Sequence, residues 1–141
     1  MIWVREGHSF LTHIVACQAD NNSRTERRYL IQQLNKFNLA YLHFVEGATA
    51  TSREVPADVD MDALSAQFQG TFIGNNNYDL EMAISRRNAG IIDAVAFGRL
   101  FISNPDLVKR LRYGAELTIA PKEAYYGGGA KGFTDWPEGN F

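Results

Sequence analysis

From residue 25 onward, apolar positions along the chain switch repeatedly between two periods. Leu30, Ile31, Leu34 and Phe37 recur at helical spacing and predict a helix over residues 25–37. Ser23 and Glu26 precede them at capping-box spacing, where the hydroxyl accepts from a first-turn N–H and the carboxylate reaches back. Arg24, Arg27 and Arg28 lie beside the stripe and read as a solvated basic face. The run AYLHFVE over residues 40–46 is nearly all apolar and suits a strand buried on both faces, as in a parallel sheet. A loop with Gly47, Thr49, Thr51, Ser52 and Pro56 follows. Asp60 then caps a short helix in which Met61, Leu64 and Phe68 face one way. GTFIG over residues 70–74 is a second strand, and Asn75-Asn76-Asn77 a turn. Asp79 caps the next helix, with Leu80, Ala83 and Ile84 on one face. Its acidic residues come early and Arg86 and Arg87 late, complementing the helix dipole. DAVAF over residues 93–97 is a third strand, ended by Gly98-Arg99. Asn104 caps a last helix with Pro105 at its first position; Leu107, Val108 and Leu111 pack, and Gly114 stops it. Residues 120–141 read as irregular, and residues 1–23 carry little pattern.

Strands alternating with helices predict parallel strands joined by right-handed crossovers. The expected fold class is α/β, with about three parallel strands. Three strands would leave both sheet edges exposed, which soluble proteins avoid.

Charge and composition narrow the function. The 141 residues hold 14 Lys+Arg against 16 Asp+Glu, a net charge of −2. A broad nucleic-acid footprint needs a basic excess, so none is expected. With 45% hydrophobic and 21% charged residues, the chain is not disordered throughout. No apolar run approaches the roughly 18 residues of a membrane span. Met1-Ile2-Trp3-Val4-Arg5-Glu6 lacks the pattern of a secretory signal. The single cysteine, Cys17, excludes an intrachain disulfide and multi-cysteine metal sites. A cytoplasmic setting is expected.

In parallel α/β folds ligands gather at the carboxyl ends of strands. Gly74-Asn75 ends the second strand and Gly98-Arg99 the third, each leading into a helix. A glycine permits close approach of a ligand, and N–H groups with an arginine fork suit a phosphate. A glycine after a strand also simply turns the chain. Gly127-Gly128-Gly129 lacks the Lys-Ser/Thr of a Walker loop and reads as a flexible loop. Tyr125 and Tyr126 could stack on a flat ligand or pack on the core. His8, His13 and His43 have no metal-ligand spacing. His43 reads as a core histidine, and Glu46 ends its strand without a visible partner. No nucleophile, base and orienting group come together.

The residues also resemble a known family. Tyr29-Leu30-Ile31 through Ala40-Tyr41-Leu42-His43-Phe44-Val45-Glu46 is similar to the sixth βα segment of the Old Yellow Enzyme family, the FMN-dependent ene-reductases. Phe72-Ile73-Gly74-Asn75 with Tyr78 resembles that family's seventh strand and loop. Asp93-Ala94-Val95-Ala96-Phe97-Gly98-Arg99, then Phe101-Ile102 and Asn104-Pro105-Asp106-Leu107, resembles its eighth. Tyr125-Tyr126-Gly127-Gly128-Gly129-Ala130 and Gly132-Phe133-Thr134-Asp135-Trp136-Pro137 look like its C-terminal loop.

The resemblance implies a (β/α)8 flavoprotein whose FMN takes hydride from NAD(P)H and passes it to an α,β-unsaturated carbonyl compound. Gly74, Asn75, Gly98 and Arg99 would hold the FMN phosphate, and Tyr126 would border the substrate pocket. No residue of this chain is assigned a catalytic role or a metal. A whole barrel takes about 200 residues or more, so the chain reads as the C-terminal part of one. Residues 1–23 match poorly, and residues 24–141 form a C-terminal half-barrel. The family's first half, with its carbonyl-gripping side chains and proton-donor tyrosine, has no counterpart here. The expected enzyme is therefore an oxidoreductase by family, inactive as the isolated chain. Its partners would be an enone, and the missing N-terminal half or a second copy. The alternatives are a non-catalytic half-barrel that dimerises or binds a phosphate ligand, and an inactive remnant.

Overall fold

A computed structural model describes residues 14–16, 24–47, 53–54, 60–125, 129–132 and 134–140. The chain divides into two compact units, Met1–Ala96 and Phe97–Phe141.

The first unit runs β1 (Ile14–Ala16), α1 (Arg24–Leu34), β2 (Tyr41–Val45), α2 (Met61–Ser65), β3 (Thr71–Asn75), α3 (Leu80–Asn88) and β4 (Ala94–Ala96). Among the described residues these strands form one four-stranded sheet in the order β1-β2-β3-β4, with every pairing parallel. The three expected strands are all present. The fourth, β1, lies in the poorly patterned N-terminal stretch and is defined by its neighbour: Ile14, Val15 and Ala16 pair with His43, Phe44 and Val45. Asp93 fixes the register of β4 on β3. Its carboxylate accepts from Phe72 N at 2.8 Å, and its own N–H donates to Phe72 O at 2.9 Å.

Leu42, Phe44 and Phe72 are buried, and the Phe44 and Phe72 rings lie 5.7 Å apart at 33°. Such a pair contributes about 0.5–1.5 kcal/mol beyond its buried area. Ile31 and Leu34 of α1, Leu64 of α2, and Ile92 complete this core. The expected burial of β2 on both faces is not what the sheet shows: Tyr41, His43 and Val45 are only half-buried. Register explains the split. Leu42 and Phe44 neighbour Phe72 and Gly74 on the packed face, while His43 and Val45 neighbour Ile73 and Asn75 on the other.

Asp60 caps α2, accepting from Asp62 N and Ala63 N, and Asp79 caps α3, accepting from Met82 N at 2.8 Å. Both caps follow the sequence pattern. Helix packing departs from it in places. α1 gives way to a 3-10 turn over Asn35–Phe37, which leaves Phe37 exposed instead of in the stripe. Arg27, read as solvated, is buried. Leu80 and Ile84 of α3 are exposed. Ser23, His8, His13 and Cys17 lie outside the described residues.

The second unit holds α4 (Arg99–Ser103), α5 (Leu107–Tyr113) and a 3-10 turn at Lys122–Ala124. Gly114 stops α5 in the left-handed region at φ 65°, as expected of a C-terminal glycine. Val108, expected to pack, is exposed, and Leu107 is fully buried. Asn104 does not cap α5 with its side chain. It is fully buried, donates to Leu100 O and Thr118 O at 2.8 Å each, and accepts from Thr118 N at 2.9 Å. The irregular tail is held by side chains: Trp136 Nε1 donates to Gly132 O at 2.8 Å, and Gly139 N donates to Asp106 at 2.8 Å.

Candidate functional site

The carboxyl ends of β2 and β3 meet around Glu46. In the sequence this residue has no visible partner; in the fold its side chain is 3% exposed and surrounded. Tyr78 Oη donates to its two carboxylate oxygens at 3.0 and 2.9 Å. Arg86 donates to it at 3.3 Å and to Asp62 at 2.7 Å. Arg53 donates to Glu46 and to the Asn76 carbonyl, with its guanidinium 4.4 Å above the centre of the Tyr78 ring. Two carboxylates thus face two arginines, so the buried charge is compensated. Burial pushes the Tyr78 phenol up, and the charge of Glu46 and the hydrogen bond to it push the same way. The hydroxyl therefore stays protonated and acts as a donor. Burial alone would lower the Arg86 guanidinium, but Glu46, Tyr78 and Asp62 outweigh it and hold it above its ordinary value.

Backbone contacts tie the two strand ends together. Glu46 N donates to Asn75 O at 3.0 Å, and Asn76 Nδ2 donates to Glu46 O at 2.5 Å. A Cβ at Gly74 would stand 2.7 Å from Tyr78 Oη and 3.1 Å from Ile92 Cγ2, so the space of a side chain there is filled by Tyr78. On the half-buried face, the Asn75 side-chain amide lies 2.9 Å from His43 Nε2. With the amide nitrogen facing the ring, Nε2 is the acceptor and the proton sits on Nδ1.

Burial pushes the His43 imidazole below its ordinary value. The unfolded chain then binds more protons than the folded one between the two values, so stability rises with pH through that window. This contribution is complete above the ordinary histidine range and is lost as pH falls toward the lower folded value. Thermal midpoints measured from about pH 5 to 7 are expected to rise less steeply in His43→Gln than in the parent chain. Equal slopes would show that His43 does not titrate with folding.

In the second unit, Gly98 and Arg99 open α4. Gly98 carries no side-chain cap, and a Cβ there would meet nothing within 4 Å. Arg99 is exposed. Asp106 is buried and accepts from Arg110 Nε at 2.7 Å as well as from Gly139 N. Burial alone would raise its carboxyl, but these hydrogen bonds outweigh it and hold it below the usual range. Arg110 also donates to Pro137 O at 3.1 Å, so α5 holds the C-terminal segment. The sequence did not mark Asp106 or Arg110 for this task. Tyr126 lies outside the described residues, as do Gly127 and Gly128. Among the described residues, no helix is long and apolar enough to cross a membrane.

Parallel strands in sequential order, joined by helices, are the repeating unit of the (β/α)8 barrel. Solved structures agree. The old yellow enzyme from Trypanosoma cruzi superposes with a TM-score of 0.78 at 31% identity, covering 90% of this chain and 35% of that one. The 12-oxophytodienoate reductase 7 of Oryza sativa subsp. japonica is 35% identical over 122 residues, which is 79% of this chain and 31% of the relative. The flavin oxidoreductase hxnT of Emericella nidulans is 34% identical over 140 residues, 84% of this chain and 36% of the relative. No family model matches the chain. The chain is similar in sequence and fold to flavin oxidoreductases of the Old Yellow Enzyme family, over part of that family's barrel. It spans about a third of the length of the curated relatives it matches.

Proposed function

We propose that this chain carries the phosphate-binding end of an FMN-dependent ene-reductase. The residues proposed for the FMN phosphate are those the family resemblance implies, Gly74, Asn75, Gly98 and Arg99, with Tyr126 proposed for the substrate. The observation that carries the reading is the open space over Gly98 at an uncapped helix start, followed directly by an arginine. A phosphate needs close backbone approach, N–H donors and a positive charge, and this segment offers all three. The relatives' names supply the flavin and the reductase chemistry. When bound, FMN supplies the hydride, drawn from NAD(P)H, for reduction of an α,β-unsaturated carbonyl compound. The chain's own residues bind and orient: Arg99 meets the phosphate charge, and His43 holds the Asn75 side chain. Residues 24–141 are proposed as the C-terminal half-barrel. The half-buried sheet face of Tyr41, His43 and Ile73 is the surface that its remaining strands, or a second copy, would cover.

Equilibrium dialysis of the chain against FMN and riboflavin tests this reading. FMN is expected to bind more tightly, because riboflavin lacks the phosphate. Arg99→Ala should weaken FMN by about 10- to 100-fold, the effect of losing hydrogen bonds to a charged group, and leave riboflavin unchanged. Equal binding of the two flavins, or binding of neither, would refute the proposal.

A further inference from the structure

The proposed phosphate contacts make no use of the buried cluster around Glu46. We infer that Tyr78, held by Glu46 and Arg86, is a positioning residue that sets the backbone of Gly74, Asn75 and Asn76. This inference rests on the proposed phosphate site for its functional half, and on geometry alone for the rest.

Four observations converge on it. Tyr78 Oη fills the space under Gly74, 2.7 Å from where a Cβ would stand. The same oxygen donates to Glu46 and accepts from Arg86 Nε at 2.9 Å, so it is fixed from two sides. Glu46 in turn grips the strand end with its main chain, through Asn75 O and Asn76 Nδ2. Arg53 lies on the Tyr78 ring and donates to the Asn76 carbonyl.

The turn has a need for such support. Asn76 and Asn77 have φ of 102° and 52°, in the left-handed region that L residues rarely adopt. Strained backbone of this kind persists only where its surroundings over-determine it. Around Asn76 those surroundings include Glu46 and Arg53, both in contact with Tyr78, and the Asn75 side chain, whose Oδ1 accepts from Asn76 N at 2.5 Å. Removing one hydroxyl therefore takes the Tyr78 donor from the Glu46 carboxylate, which keeps Arg53 and Arg86, and opens the space under Gly74. The phosphate-facing backbone then loses its fixed geometry while the aromatic ring and its stacking remain.

The test uses Tyr78→Phe in the full chain, with Glu46→Gln as a second variant of nearly the same shape. Amide hydrogen exchange reads positioning without any ligand. Exchange at Asn76 is expected to be at least about tenfold faster in Tyr78→Phe, with Leu42 and Phe44 unchanged. A general loss of stability would speed all of them together. Dialysis at a temperature well below unfolding reads the functional half: FMN is expected to weaken about tenfold, with riboflavin unchanged. Unchanged exchange at Asn76 in both variants overturns the positioning role. Faster exchange with FMN preference retained overturns its link to the phosphate. A parent chain with no preference for FMN over riboflavin overturns the phosphate reading itself, and the exchange result still decides the positioning role.

Discussion

Glu46→Ala is expected to lower stability by about 3–5 kcal/mol, the cost of removing one partner from a buried charge cluster. For a chain of this length that is a fall in thermal midpoint on the order of 10 °C. The size comes from what is left behind. Arg86 and Arg53, with side chains 18% and 23% exposed, lose their buried counter-charge. Tyr78 Oη loses both acceptor oxygens at 3.0 and 2.9 Å. Among the described residues, the half-exposed Asp62 and the neutral Tyr78 Oη still accept from Arg86, a weaker set than the buried carboxylate. The net contribution of an intact buried ion pair is small, so the experiment measures the penalty of orphaned donors rather than the strength of the pair. Glu46→Gln keeps an acceptor and its volume, and should cost less. Thermal or urea unfolding of the two variants checks the order. A loss under about 1 kcal/mol for alanine would show that water reaches the cluster and that it behaves as a surface ion pair.

Phe44→Ala is expected to cost a similar amount, about 3–5 kcal/mol. Its ring is 2% exposed and packs on Phe72 at 5.7 Å. The cost of a truncation depends on how far the surroundings can close in. Here they cannot close far. On the β3 side the neighbour across the ladder is Gly74, which has no side chain, and the space beside it is already taken by Tyr78 and Ile92. Phe44→Leu, which refills much of the volume, should recover more than half of the loss. A loss for Phe44→Ala below about 1.5 kcal/mol would mean that the sheet repacks and that this face is not rigid.

Much of the fold was legible because the signals that define it are short-range. Val45 and Asn75 end their strands within a residue or two of the pattern in the sequence. The capping aspartates Asp60 and Asp79 bond to N–H groups two or three residues away, so type and spacing suffice to find them. The same holds for Gly114, whose left-handed conformation ends α5. The paired glycines at the strand ends, Gly74 and Gly98, were legible as positions. Their surroundings were not: one is filled by a tyrosine hydroxyl and the other is open.

The sequence by itself determined the alternation of strands and helices, the parallel sheet, the helix caps and the family resemblance. Each rests on periodicity, capping or ordered motifs along the chain. Only the tertiary structure decided the rest. Glu46 finds Tyr78 32 residues away and Arg86 40 residues away, which requires the register of β2 on β3. Asn104 becomes a bridge to Thr118 instead of a cap, because a buried amide takes whichever backbone groups the fold leaves unpaired. β1 exists because β2 offers it a ladder, and three residues alone carry no periodicity to announce it. Arg27 is buried and Val108 exposed for the same reason: helical spacing says which residues share a face, and only packing says which face is covered.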